Sequence, residues 1–204
     1  MLRASILLLL AGVASCASTR YEGQAILELQ EGPVEPPPAE NVIEEGCHPT
    51  PHTANEIRDA LWDVGGRYYR LHGDPESSMI QFIFQDVTES TCEVETMFYD
   101  LEGLTSDVSI QEDVPWTQLQ LEGSFRKDEY TLGEANVHVE AGRFDCWVYT
   151  METTFMDREG ATAVSRSEYY FAKELPGPPV YIADIDESGE ARWAMELYDF
   201  NPID

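Results

Sequence analysis

The sequence predicts a mainly β domain, a single antiparallel sheet that is curved or rolled into a half-barrel, with one short helix on its N-terminal side. Three observations point there. From about residue 67 onward, β-branched and aromatic residues recur in short runs separated by turn signals. The connections Glu140-Ala141-Gly142, Asp157-Arg158-Glu159-Gly160 and Glu187-Ser188-Gly189 are short enough for antiparallel hairpins. Within 143–155, Phe144, Cys146 and Val148 alternate with Trp147, Tyr149 and Met151, so this run is apolar on both faces. A strand of that kind is covered on both sides, which favours a curved sheet with the helix on its concave side, or a closed barrel, over a flat one-sided sheet.

The elements follow in order. Thr53-Ala54-Asn55-Glu56 fits a capping box, in which each end of the motif satisfies a free backbone donor. Ile57, Ala60 and Leu61 then fall on one face at helical spacing and Gly65-Gly66 stops the pattern, giving a helix over 54–63. Strands are expected at 67–72, 78–87, 91–100, 105–110, 133–140, 143–155, 161–172, 179–185 and 191–199. Between the two halves, Pro115 stands at a helix start and Trp116 and Leu119 are three apart, so a single helical turn is expected there. No internal repeat of 20 to 50 residues is present.

Of the 204 residues, 43% are apolar and 11% aromatic, enough to bury one core over 47–204. The net charge is −27. Nucleic acid is thereby disfavoured as a partner, since phosphates are repelled and no basic cluster exists to release their counterions; anionic headgroups are equally poor direct partners.

The start of the chain reads as an export address. Arg3 precedes an apolar run from Ile6 to Val13, which is a secretory signal peptide over 1–15. The run is too short to span a bilayer, which takes about 20 apolar residues. Val13-Ala14-Ser15-Cys16 resembles the bacterial lipobox, implying cleavage before Cys16, acylation of its thiol and anchorage to the lipid bilayer. Residue 17 is Ala and not Asp, which within that resemblance favours the outer membrane. Residues 17–46 contain four prolines, seven glutamates and one basic residue. Residues 16–46 are therefore expected to be a lipidated N-terminus and an acidic, Pro-rich tether, extended at about 3.1 Å per residue in its middle, with Ala25-Ile26-Leu27 as a stray strand at most.

With Cys16 assigned to lipid, Cys47, Cys92 and Cys146 remain in an oxidising compartment, where one disulfide among them is expected. Cys92 shares a face with Val94 and Phe98, and Cys146 with Phe144 and Val148, so both read as inward-facing; all three pairings stay open.

Candidate sites are few. Cys47, His48 and His52 have metal-binding chemistry, but prolines separate the imidazoles and no fourth ligand has a characteristic spacing, so a disulfide anchor and a solvated loop are the better reading. Asp184-Ile185-Asp186-Glu187-Ser188-Gly189 opens like a calcium loop, yet position 12 falls on Met195 where a bidentate Glu is needed; a hairpin turn explains the same residues. No Gly-x-Ser-x-Gly elbow occurs, and His72 and His138 stand alone in strand-like runs. No catalytic residue, metal or cofactor is assigned. The abundant rings are mostly core, while Trp147, Tyr149 and Met151 are the candidate lining of an apolar ligand cavity within the curved sheet.

Ala141-Gly142-Arg143-Phe144-Asp145-Cys146-Trp147-Val148-Tyr149 and the stretch from Glu168 through Leu175-Pro176-Gly177-Pro178-Pro179-Val180 resemble a group of uncharacterised bacterial lipoproteins. The resemblance covers roughly 53–199 and implies one domain with an N-terminal helix and a Trp-x-x-Leu turn like Trp116 to Leu119; it brings no activity. At the level of fold alone, the pattern is similar to periplasmic lipoprotein carriers, whose half-barrel wraps a helix around an apolar cavity. Two functions are thus expected: an envelope-anchored structural or interaction protein that contacts another envelope component, or a carrier or sensor for an apolar ligand. Replacing Cys16 with Ser should abolish lipidation and the normal cut, read as a changed mass and loss of membrane partition; wild-type protein that is entirely soluble, with an unmodified N-terminus at Ser18, would refute the lipobox reading.

Overall fold

The computed structural model describes residues 25–30, 32–62, 66–73, 77–156 and 162–200. Among them are β1 (Ile26–Leu29), α1 (Ala54–Leu61), β2 (Gly66–His72), β3 (Met79–Gln85), β4 (Thr91–Tyr99) and β5 (Thr105–Pro115). Then come α2 (Trp116–Leu121), β6 (Tyr130–Val139), β7 (Gly142–Met156), β8 (Thr162–Ala172), β9 (Tyr181–Ile185) and β10 (Ala191–Asp199). The strands form one antiparallel open sheet in the order β1-β6-β7-β8-β9-β10-β2-β3-β4-β5. Two meanders, β2 to β5 and β6 to β10, are joined where β10 pairs with β2, leaving β1 and β5 as the edges.

The capping box forms as the sequence requires: Thr53 Oγ1 accepts from Glu56 N (3.2 Å) and Thr53 N donates to Glu56 Oε2 (2.8 Å). Glu56 also lies in the first turn, where a carboxylate suits the helix dipole. The helix ends at Leu61; position 63 and Gly65 lie outside the described residues, while Gly66 begins β2. The expected single turn at Trp116 is a helix of six residues, entered from extended Pro115, with Trp116 Nε1 donating to Thr88 O (3.0 Å). β5 is longer than 105–110 because a bulge lets Val114 and Pro115 go on pairing with Cys92 and Thr91. Proline is tolerated there, where an edge strand has no neighbour on its outer side.

The register places Tyr69, Leu71, Ile80, Phe82, Phe84, Val94, Ile182 and Met195 on one face, with Tyr149, Tyr169 and Phe171 further along it. Ile57 of α1 surrounds one small space together with Phe82, Phe84, Ile182 and Met195 of this face, and Ile57 and Leu61 are buried, so the helix covers it with its apolar stripe. The opposite face of β6 to β10 carries Val137, Phe144, Cys146, Val148, Tyr170 and Ala183, all buried. No helix covers it. The meander rolls instead, until the β6–β7 turn reaches β10: Ala141 N donates to Leu197 O (3.3 Å) and Glu140 N to Glu196 Oε1 (3.1 Å).

The tether expected over 16–46 requires correction for its described part. Ile26–Leu29 is a strand paired with β6, and Pro37 and Asn41 are buried, while most of the other residues of 32–46 are exposed as expected; Cys47, Pro49, Thr50, Pro51 and His52, which open the expected domain, are buried. Residues 46–48 run alongside 125–127, with His48 N donating to Phe125 O (2.8 Å) and Lys127 N to Gly46 O (2.9 Å). A buried polar network fixes this segment. Asn41 Nδ2 donates to Thr50 O (3.1 Å), Gln120 Nε2 to Thr50 Oγ1 (3.0 Å), and Ala54 N to Gln120 Oε1 (3.1 Å). One glutamine side chain therefore ties together the N-terminal segment, the start of α1 and α2.

Phe125, between α2 and β6, is buried and stacks on Tyr149 with ring centroids 4.4 Å apart, while also meeting Tyr130 (4.8 Å), Tyr169 (5.3 Å) and Phe171 (5.9 Å). Truncating Phe125 to Ala should cost about 3 to 5 kcal/mol, as for other buried large-to-small changes. The denaturant midpoint checks this, and an unshifted midpoint would show that the ring is not part of the core.

Candidate functional site

The face of β7 expected to line a ligand cavity is occupied by the protein itself. Tyr149 is fully buried, and its hydroxyl donates to Pro49 O (2.7 Å) on the covering segment; burial pushes its phenol well above the ordinary value. Trp147 Nε1 donates to Glu35 O (2.9 Å), and its ring meets His52 edge-on at 5.8 Å and the Lys173 ammonium at 5.5 Å. Lys173 in turn pairs with Glu134. Met151 lies between Tyr130 and Ser167 in register. Burial also raises the phenol of neighbouring Tyr169, to about 12. The apolar pocket lies elsewhere, and Trp147, Tyr149 and Met151 do not line it.

That pocket sits beneath α1, against Ile57, Phe82, Phe84, Ile182 and Met195, and is closed on one side by Gly177-Pro178-Pro179. Its volume is about 60 Å³. Sites that take small-molecule ligands are about 300 to 1,000 Å³, so this space is a packing imperfection on that scale.

The remaining candidates take separate partners. His48 Nε2 donates to Tyr130 O (2.9 Å) and His52 Nε2 to Ala172 O (2.9 Å), and burial holds the His52 imidazole below its ordinary pKa. Among the described residues, no three of His, Cys, Asp and Glu gather as metal ligands. Asp186 caps the β9–β10 hairpin: its Oδ1 accepts from Ser188 Oγ (2.5 Å), Ser188 N (2.9 Å) and Glu190 N (3.2 Å), with Gly189 at φ 82° completing the turn. The Ser188 hydroxyl holds the Asp186 carboxyl below the usual range. His72 pairs with Glu196 at 3.1 Å. His138 stands on β6 opposite Arg143 and Ile26.

Two charge features escaped the sequence reading. Arg67 is only 1% exposed; it donates to Pro176 O (3.3 Å) and stands 5.4 Å from the Phe200 ring, and burial lowers its pKa. The second feature is larger. Between Arg70 and Arg126 there is no Lys or Arg, while Asp and Glu recur throughout. The fold turns that interval into β3, β4, β5 and α2, so the strands at one end of the sheet carry acids and no Lys or Arg, although Arg58 of α1 pairs with Glu89 (3.1 Å) in the β3–β4 turn. The gap is visible in the sequence as a run without cations, although its position at a sheet edge is not.

Family models, curated proteins and solved structures give no match to this chain.

The disulfide expected among Cys47, Cys92 and Cys146 is not formed; all three are buried free thiols. Cys92 on β4 points to the helix-covered face beside Val94, whereas Cys146 on β7 points to the opposite face, with five strands between them. Cys47 lies on the segment covering the face that Cys146 turns away from. Burial pushes the Cys92 thiol up to about 11 and raises Cys146 as well. At pH 8 neither should react with iodoacetamide until the protein unfolds, after which both should be alkylated without added reductant. Peptide mass mapping checks this, and reactivity only after reduction would establish a disulfide.

Proposed function

We propose that this chain is an envelope-anchored lipoprotein, held by an acyl group on Cys16 in the outer membrane, whose sheet domain has a structural or interaction role. The observation that carries the interaction role is the segregation of charge: β3, β4 and β5 contribute carboxylates and no Lys or Arg of their own, with Arg58 of α1 reaching only Glu89 in the β3–β4 turn, and among the described residues this end terminates in an uncovered strand. Two further features support it. The aromatic interior is filled, and the pocket beneath α1 is several times smaller than a ligand site. The lipobox-like Val13-Ala14-Ser15-Cys16 and the lipoprotein-like segments around Cys146 and Leu175-Pro176-Gly177 support the anchorage.

The carrier reading has only that small pocket in its favour. A like-charged domain repels nucleic acid and anionic headgroups, so its surface suits a polypeptide with basic groups. Such a complex is held largely by charge and weakens as salt shortens the screening length from about 10 Å at 0.1 M to about 3 Å at 1 M. Chemically unmodified envelopes, solubilised in mild detergent, should therefore release the protein in a larger assembly at low salt and free of it at high salt, as read by sedimentation. A single free species at every salt concentration, together with a stoichiometric small molecule in native extracts, would replace this reading with the carrier.

A further inference from the structure

We infer that the outer edge of β5 docks an extended basic segment of a partner polypeptide, which joins the sheet as an added strand. The inference rests on the interaction role proposed above and narrows it to one edge and one partner chemistry. β5 has 11 residues, whereas the opposite edge strand, β1, has four. Among the described residues no strand pairs with its outer edge. Tyr99 O accepts from Ser78 N (2.9 Å), so by the two-residue alternation Met97 and Glu95 turn their main chain towards β3, and their partners Val108 and Ile110 turn theirs away from the sheet; the Val108 N–H is taken by Asp107 Oδ1 (2.9 Å), which leaves that of Ile110.

The side chains fit the same occupant. Val108 and Ile110 are 45% and 55% exposed, and both lie on the face that Met97 shares, opposite Met97 and Glu95 respectively. Glu93 and Glu95 flank that apolar pair on β4, and Asp107, Glu112 and Asp113 are on β5 itself. Among the described residues, none of these five acids is in an ion pair; Gln85 Nε2 donates to Glu93 Oε1 (2.6 Å) and to Glu95 Oε2 (3.4 Å). Asp113 adopts φ 53° within the bulged end of β5, so regular pairing ends there. The straight part before it offers room for about six residues of a partner, or about 20 Å.

Charge decides the occupant. A second copy would bring Asp107, Glu112 and Asp113 against their own kind, and like charges directly opposed destabilise a strand pair. These acids therefore protect the edge from self-association, a common means of blunting exposed edges. A strand with alternating basic and apolar residues meets no such barrier. Its main chain takes the free β5 groups, its apolar residues cover Val108 and Ile110, and its cations neutralise the surrounding carboxylates. Strand addition of this kind draws affinity from main-chain hydrogen bonds and specificity from alternate side chains.

The test uses the full chain with three fluorescent octapeptides: alternating Lys and Val, the same peptide with two Val replaced by Pro, and alternating Glu and Val. The Lys–Val peptide should bind saturably, the Pro-broken peptide at least about tenfold more weakly, and the Glu–Val peptide not at all. Hydrogen exchange should slow at the Ile110 amide. Ile110→Pro removes the outward donor, and the surface pair Glu95→Lys/Glu112→Lys reverses the charge; each should weaken binding at least about tenfold at unchanged melting temperature. Equal binding by the Pro-broken peptide, protection at a site other than β5, no binding, or wild-type dimers formed through β5 would each overturn the inference. A salt-sensitive envelope assembly that survives Glu95→Lys/Glu112→Lys would discard this edge while keeping the broader role; absence of any such assembly would discard both.

Discussion

β7 cannot leave either face to water, and most of the architecture follows from how its two faces are covered. Phe144, Cys146 and Val148 on one side, and Trp147 and Tyr149 on the other, would together expose a large apolar area on a flat sheet. The first face is buried by rolling β6 to β10 on themselves, which needs no further element. The second is buried by parts of the chain from outside the meander: Phe125, and residues 35 to 52, which place Glu35 O, Pro49 O and His52 against Trp147 and Tyr149.

The covering segment is short of apolar side chains, so burial alone does not hold it. Polar groups whose partners are all internal hold it instead. Asn41, Thr50 and Gln120 are buried and joined to one another, and Gln120 continues to the first free amide of α1. Each such bond is worth about 1 kcal/mol net, but a broken one leaves a buried donor or acceptor without water, which costs about 1 to 3 kcal/mol. The network therefore acts chiefly on specificity, because a displaced segment would leave Asn41, Thr50 or Gln120 without these partners.

Local signals were legible in the sequence because they act locally. Alternation located the β-strands of the main meanders to within a few residues, and the Thr53 capping box located α1. The order of strands was not legible, since pairing β10 with β2 depends on contacts far apart in sequence. The same limit misled the cysteines. Alternation says which neighbours share a face with Cys92 or Cys146, but not whether the two faces coincide across the sheet. The stretch before Cys47 was only partly legible: its prolines and glutamates are mostly solvated, as their composition suggested, but the pairing of Ile26–Leu29 with β6 and the burial of Pro37 and Asn41 depend on contacts far away in the sequence. Phe125 lay in a segment without periodicity and gave no sign of its place in the core.

The ordered position of β1 changes the geometry at the membrane. On the proposal that Cys16 is acylated, the leash to the first paired strand consists of residues 17–25, because Ile26 is already hydrogen-bonded into the sheet. Nine residues span at most about 30 Å when fully stretched, whereas a leash running to residue 46 would reach about three times as far. The domain would then hang close beneath or above the headgroups with its β1 edge nearest the bilayer. The acidic β5 edge is at the other end of the sheet order, nine strands on, and is not the edge that the leash enters.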